Sequence, residues 1–109
     1  MEKYKVHLSA AAKKEANEIF DYISLELCAP IAALDQIDLI EEQLAKLSQF
    51  PHGNPRISDD RLAAKGYRMI VIKNYLVFYT INDQEKIVYV ERILYGRRDW
   101  MRTLRKDSP

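Results

Sequence analysis

Tyr67-Arg68-Met69-Ile70-Val71-Ile72-Lys73, Tyr75-Leu76-Val77-Phe78-Tyr79-Thr80-Ile81 and Lys86-Ile87-Val88-Tyr89-Val90-Glu91-Arg92-Ile93-Leu94 are three runs rich in valine, isoleucine, tyrosine and phenylalanine. These are the side chains that fit a pleated, half-buried surface. Lys73-Asn74 separates the first two runs as a tight turn in which asparagine accepts a positive φ, and Asn82-Asp83-Gln84-Glu85 separates the second from the third. Connections this short join antiparallel neighbours, so the spacing predicts a three-stranded meander. Such a sheet has an apolar face that needs a cover.

The first half of the chain supplies one. Tyr4-Lys5-Val6-His7-Leu8 alternates as a short strand, and Ser9 is a good helix N-cap. Ala12, Ala16, Ile19, Phe20, Ile23 and Leu27 then follow helical spacing, with Lys13, Lys14, Glu15, Glu18 and Asp21 on the other side, which predicts a helix over 10–27. Ala29-Pro30 breaks it and starts another, because proline suits the first turn. Ile31, Leu34, Ile37, Ile40, Leu44 and Leu47 repeat at intervals of three and four, predicting a second helix over 30–49. The connection is short, so the two helices form an antiparallel hairpin packed on the sheet. Phe50 to Pro55 reads as a loop, and the polar stretch to Lys65 has no assignable period. Residues 97–104 are expected to add one helical turn and 105–109 to fray. The fold class is therefore α+β in a single domain over 1–109.

Composition narrows what such a domain does. Of 109 residues, 48% are hydrophobic and 30% charged, an ordinary globular balance with room for one core. No apolar stretch is long enough to span a bilayer and no signal-like segment opens the chain, so a cytoplasmic location is expected. The lone Cys28 fits a reducing compartment and reads as a small buried or partly buried side chain. His7 and His52 stand in no metal-ligand spacing, and there is no glycine-rich phosphate loop, so neither a metal nor a cofactor is expected.

Charge is unevenly distributed. Residues 1–50 hold five lysines against nine acids, and residues 51–109 hold twelve Lys and Arg against seven acids, with all eight arginines in that second part. An arginine-rich half suits a polyanion or an acidic partner, although pairing with the acidic half answers the same pattern. Arg68 and Arg92 each interrupt an apolar strand run and must reach solvent or pair with an acid. Glu91 is expected on the face opposite Arg92. In Tyr95-Gly96-Arg97-Arg98-Asp99-Trp100, glycine turns the chain and cations stand beside an aromatic ring, a combination suited to nucleic acid.

Gly66-Tyr67-Arg68, Asn74-Tyr75-Leu76-Val77-Phe78-Tyr79 and Val90-Glu91-Arg92-Ile93-Leu94-Tyr95-Gly96-Arg97-Arg98-Asp99 together resemble toxins of the RelE/ParE superfamily, and the likeness runs over residues 4–104. It implies a helix hairpin on an antiparallel sheet and the role of toxin in a type II toxin–antitoxin system of the plasmid-stabilisation type. A small antitoxin encoded nearby would wrap it. RelE-type members cut messenger RNA in the ribosome; ParE-type members poison DNA gyrase and need no RNase site. By the resemblance, the RelE-type catalytic positions fall on Arg68, Ile70, Leu76, Arg98 and Leu104, of which only the two arginines match; close relatives carry His where Tyr95 stands. The ParE-like reading is favoured, with RelE-like cleavage the alternative and an inactive protein-interaction domain the second. Candidate catalytic residues are Arg68, Arg92, Tyr95 and Arg98, with Glu91 and His52 as further acid–base groups. Candidate target or antitoxin contacts are Arg68, Arg92, Arg97, Arg98 and Trp100.

Overall fold

A computed structural model describes residues 3–57, 59–96 and 104. Strand β1 spans Lys5–Leu8, helix α1 Ala10–Asp21, helix α2 Pro30–Leu47, helix α3 Asp60–Ala64, and strands β2, β3 and β4 span Arg68–Ile72, Tyr75–Asn82 and Ile87–Tyr95. The strands form one sheet in the order β1-β4-β3-β2. The meander is antiparallel, as its short turns require, and β1 adds to β4 in parallel, with Val6 opposite Val88 and Leu8 opposite Val90.

Ser9 begins α1 in extended conformation and its Oγ accepts from Ala12 N–H at 3.0 Å. The same hydroxyl donates to the carbonyl of Glu91 at 2.7 Å, so the cap also ties α1 to β4. Regular α-helix ends at Asp21 rather than near residue 27. A wider π-helical turn, Tyr22–Glu26, replaces the last turns, with Leu27 N–H bonded to Tyr22 O at 3.1 Å. Cys28 then takes a left-handed φ of 51° without glycine and lies exposed, not buried as its residue type predicted. Pro30 occupies the first turn of α2.

The buried stripe of α2 is Ala33, Gln36, Ile40, Leu44 and Leu47. Ile31 and Leu34, expected inside, are 75% and 55% exposed, because the helix turns its alanine and glutamine inward over its first half. At the β2–β3 turn the left-handed residue is Lys73, at φ 54°, and not Asn74. Ile72 opposes Tyr75, so this is a two-residue loop, and its first position takes φ > 0 to match the strand twist.

Both faces of the sheet are covered, one more than the sequence indicated. Ile70, Ile72, Val77, Tyr79, Val88, Val90 and Ile93 pack with Ile19, Ile40, Leu44 and Leu47 of the hairpin. Leu76, Phe78 and Leu94 face the other way and pack with Ile57, Leu62, Tyr67 and Leu104. The polar stretch before β2 builds this second cover. Asp59 accepts from Leu62 N–H at 3.0 Å and caps α3. Gly66, at φ 84°, then reverses the chain into β2.

A bulge interrupts the β3–β4 ladder. Phe78 opposes Arg92 while Tyr79 opposes Val90, which leaves Glu91 as the extra residue of β4. The bulge lies where β1 ends, and it re-aims the charged pair described next.

Candidate functional site

Arg92 is paired. Its guanidinium meets the Glu15 carboxylate of α1 through contacts of 2.6, 2.9 and 3.1 Å, and both side chains are largely buried. Glu15 also accepts the backbone N–H of Ile93 at 2.9 Å. β1 has ended by then, so the carboxylate takes over the edge of β4 that a strand would otherwise fill. Of the two fates open to Arg92 in the sequence, pairing is the one realised.

Glu91 does not stand on the opposite face. The bulge breaks the alternation, and Glu91 and Arg92 line one cleft of about 500 Å³ together with Ser9, Lys14, Glu15 and Tyr67. Burial pushes the Glu91 carboxyl above the usual carboxylate range. A raised value in the folded state means that the stabilising contribution is complete below the unfolded-state value and is lost as pH rises through the folded one. Glu91→Gln is therefore expected to raise the thermal midpoint at pH 7, with the advantage vanishing as pH falls below 4. Melting curves of both proteins across that range check it; a variant that gained most at acid pH would contradict it.

Arg68 is committed to the opposite edge. Its Nη1 donates to the carbonyl of Asn54. Beside it the buried Tyr79 hydroxyl donates to Pro51 O at 2.9 Å, so the two side chains fasten the Phe50–Pro55 loop to the sheet. Burial raises the Tyr79 hydroxyl, partly offset by its hydrogen bond with Asn54 and the nearby Arg68 charge. His52, also in that loop, is exposed and 3.0 Å from Asp83. The Tyr4 hydroxyl donates to the same carboxylate at 2.6 Å, which with His52 holds Asp83 below the usual carboxylate range. Lys86 lies 5.1 Å over the Tyr4 ring. This clasp joins three segments far apart in sequence, β1 with its approach, the Phe50–Pro55 loop and the β3–β4 turn, and nothing local in the chain signals it.

Tyr95, at the end of β4, is 42% exposed and meets Tyr75 edge-on at 5.7 Å. The two tyrosines open onto a second cleft of about 740 Å³ between the hairpin and the β2–β3 turn. Arg97, Arg98 and Trp100 lie outside the described residues. Among the described residues no three His, Cys, Asp or Glu side chains gather as a metal site requires. Nor is any described helix long and apolar enough to cross a membrane.

The candidates thus divide into separate places: Arg68 with its loop, His52 in a surface clasp, Glu91 with Arg92 at the bulge, Tyr95 at the larger cleft. Ile70 and Leu76 are buried in the two cores, and Leu104 is fully buried in the second.

Solved structures share this fold. The chain is 21% identical to a chain of the chromosomal ParDE toxin–antitoxin system of P. aeruginosa, with a TM-score of 0.68 over 87% of this chain and 98% of that one. It is 16% identical to a chain of the RelBE2 toxin–antitoxin complex of Mycobacterium tuberculosis, at TM-score 0.60 over 85% and 98%. For the intact E. coli RelBE toxin–antitoxin complex the identity is 14%, at TM-score 0.60 over 87% and 99%. No curated protein matches the chain. Residues 6–100 match the family described as ParE toxin of the type II toxin–antitoxin system parDE. With nearly the whole described sheet and hairpin inside that match, the chain belongs to the ParE toxin family and is the toxin component of a type II toxin–antitoxin system.

Proposed function

We propose that this toxin arrests growth by binding and trapping a macromolecular target, as a DNA-gyrase poison does, without cutting RNA. A small acidic antitoxin encoded beside it holds it inactive in the cytoplasm. The observation that carries the reading is the burial of Ile70, Leu76 and Leu104. These are the positions where the RelE-type pattern needs polar groups, and here they are core side chains without a titratable proton. Arginine at 68 and 98 stabilises phosphate but is a poor proton shuttle, because its pKa lies far above 7. The antitoxin is supported by neighbours solved as toxin–antitoxin complexes. Arg68, Arg97, Arg98 and Trp100 are the proposed contacts, and Arg92 joins them from the wall of the bulge cleft.

A second reading, RelE-like ribosome-dependent cleavage of messenger RNA, is favoured by one observation: a Glu91 carboxyl with raised pKa beside Lys14 and Arg92 in a cleft. Induction in growing cells is the first test. Growth is expected to stop, to resume when the neighbouring gene is co-expressed, and to continue uninterrupted in Arg98→Ala. Unimpaired growth on inducing the unaltered chain would leave only an inactive interaction domain.

A further inference from the structure

The hairpin presents to solvent a surface that the fold does not use. Leu25, on the wide turn, is 71% exposed, and Ile31 and Leu34, early in α2, are 75% and 55% exposed. None of the three lines either cleft described above. A single exposed aliphatic side chain is ordinary. Three of them at the closed end of one hairpin, rimmed by polar residues, mark a docking surface.

The surface continues along α2. Ile31, Leu34, Asp38, Glu41 and Ala45 are spaced by three and four and all are exposed, on the side of the helix away from the buried Ala33, Ile40 and Leu44. The charge around it has one sign. Between Lys14 and Lys46 the sequence has eight acids and no lysine or arginine. Glu15 is taken by Arg92. The other seven are exposed, and none forms an ion pair among the described residues. Pairing with the basic half of the chain is thus realised in this stretch only at Glu15.

The charge decides the occupant. Carboxylates on this face repel the phosphates of nucleic acid and the headgroups of anionic lipid. They repel an acidic antitoxin as well, and a second copy of the chain would set the same carboxylates against one another. A protein segment carrying lysine or arginine meets no such penalty. We infer that the outer face of α2 docks a basic amphipathic helix of the protein target that this toxin traps. That helix lays aliphatic side chains, at three- and four-residue spacing, on Leu25, Ile31 and Leu34 and directs its cations to Asp38 and Glu41. The inference rests on the trapping reading above and gives it a contact surface apart from the arginines. An acidic antitoxin meets the basic half, so this face stays open in the toxin–antitoxin complex.

The probe is purified DNA gyrase with plasmid DNA, and the readout is the concentration of full-length toxin at which cleaved DNA accumulates. Leu25→Gln with Ile31→Gln is expected to raise that concentration about tenfold or more, as the loss of two apolar anchors at an interface does. Asp38→Lys with Glu41→Lys is expected to raise it by a similar factor; it leaves the apolar end intact and serves if the first variant misfolds. Both variants are expected to melt within about 4 °C of the unaltered chain, because the altered side chains are exposed. Both are expected to bind the product of the neighbouring gene as the unaltered chain does. Folded variants that match the unaltered chain in DNA cleavage would overturn this inference and leave the trapping reading standing. Loss of binding to the neighbouring gene's product would also overturn it, by giving the face to the antitoxin. So would an unaltered chain that sediments as a dimer where Leu25→Gln with Ile31→Gln sediments as a monomer. If the unaltered chain yields no cleaved DNA with gyrase, the gyrase reading fails and takes this inference with it.

Discussion

Replacing Glu15 with alanine is expected to cost the fold about 3–5 kcal/mol, a large share of the stability of a domain this size. The change takes the bidentate carboxylate away from the largely buried guanidinium of Arg92 and frees the Ile93 N–H at a strand edge that β1 no longer covers. Two buried groups each lose an acceptor in one substitution. Glu15→Ala with Arg92→Met is expected to recover much of the loss, because an apolar side chain of similar length needs no partner. Urea denaturation of the three proteins decides it. A Glu15→Ala variant within about 1 kcal/mol of the parent would mean that the pair is solvated and adds little to the fold.

Phe78→Ala is the second large effect, about 3–5 kcal/mol from lost transfer energy and the cavity left behind. Phe78 is fully buried on the sheet face away from the hairpin. If only the hairpin covered the sheet, this side chain would lie in water and its truncation would cost little. Val71 is the control. It sits on β2 at 62% exposure, and Val71→Ala is expected to shift stability by no more than about 0.5 kcal/mol. Equal effects at the two positions would contradict the two-sided core.

These cases show what sequence carries and what it does not. The three strands were legible because aromatic and β-branched runs are punctuated by Lys73-Asn74 and Asn82–Glu85, and the hairpin because Ala29-Pro30 interrupts two helical periods. Local pattern ends there. The pairing of β1 with β4 joins Val6 to Val88, a contact that no periodicity encodes. The bulge at Glu91 depends on how two strands meet, and it alone decides that Glu91 and Arg92 share a cleft. Arg92 announced itself as a charge in an apolar run, but its partner lies 77 residues away among several equivalent acids of α1. Gln36 and Ile31 mislead for one reason: hydrophobicity does not fix the phase of a helix when a small residue such as Ala33 lets it pack closely. Leu62 needed the Asp59 cap and the Gly66 turn to reach the second core, and both sit in a stretch without a period.

The central claim is that this toxin stops growth by trapping its target rather than by cutting RNA. Loss of general acid–base help costs about 100- to 10,000-fold in rate, enough to make ribosomal cleavage too slow to be toxic, whereas trapping needs binding energy alone. The direct measurement is induction in growing cells, with messenger-RNA 5′ ends and gyrase-linked DNA breaks mapped in the same samples within minutes. DNA breaks and an unchanged pattern of 5′ ends are expected. New 5′ ends inside codons without DNA breaks would contradict it and move the chemistry to Glu91 at the bulge and Tyr95 at the end of β4.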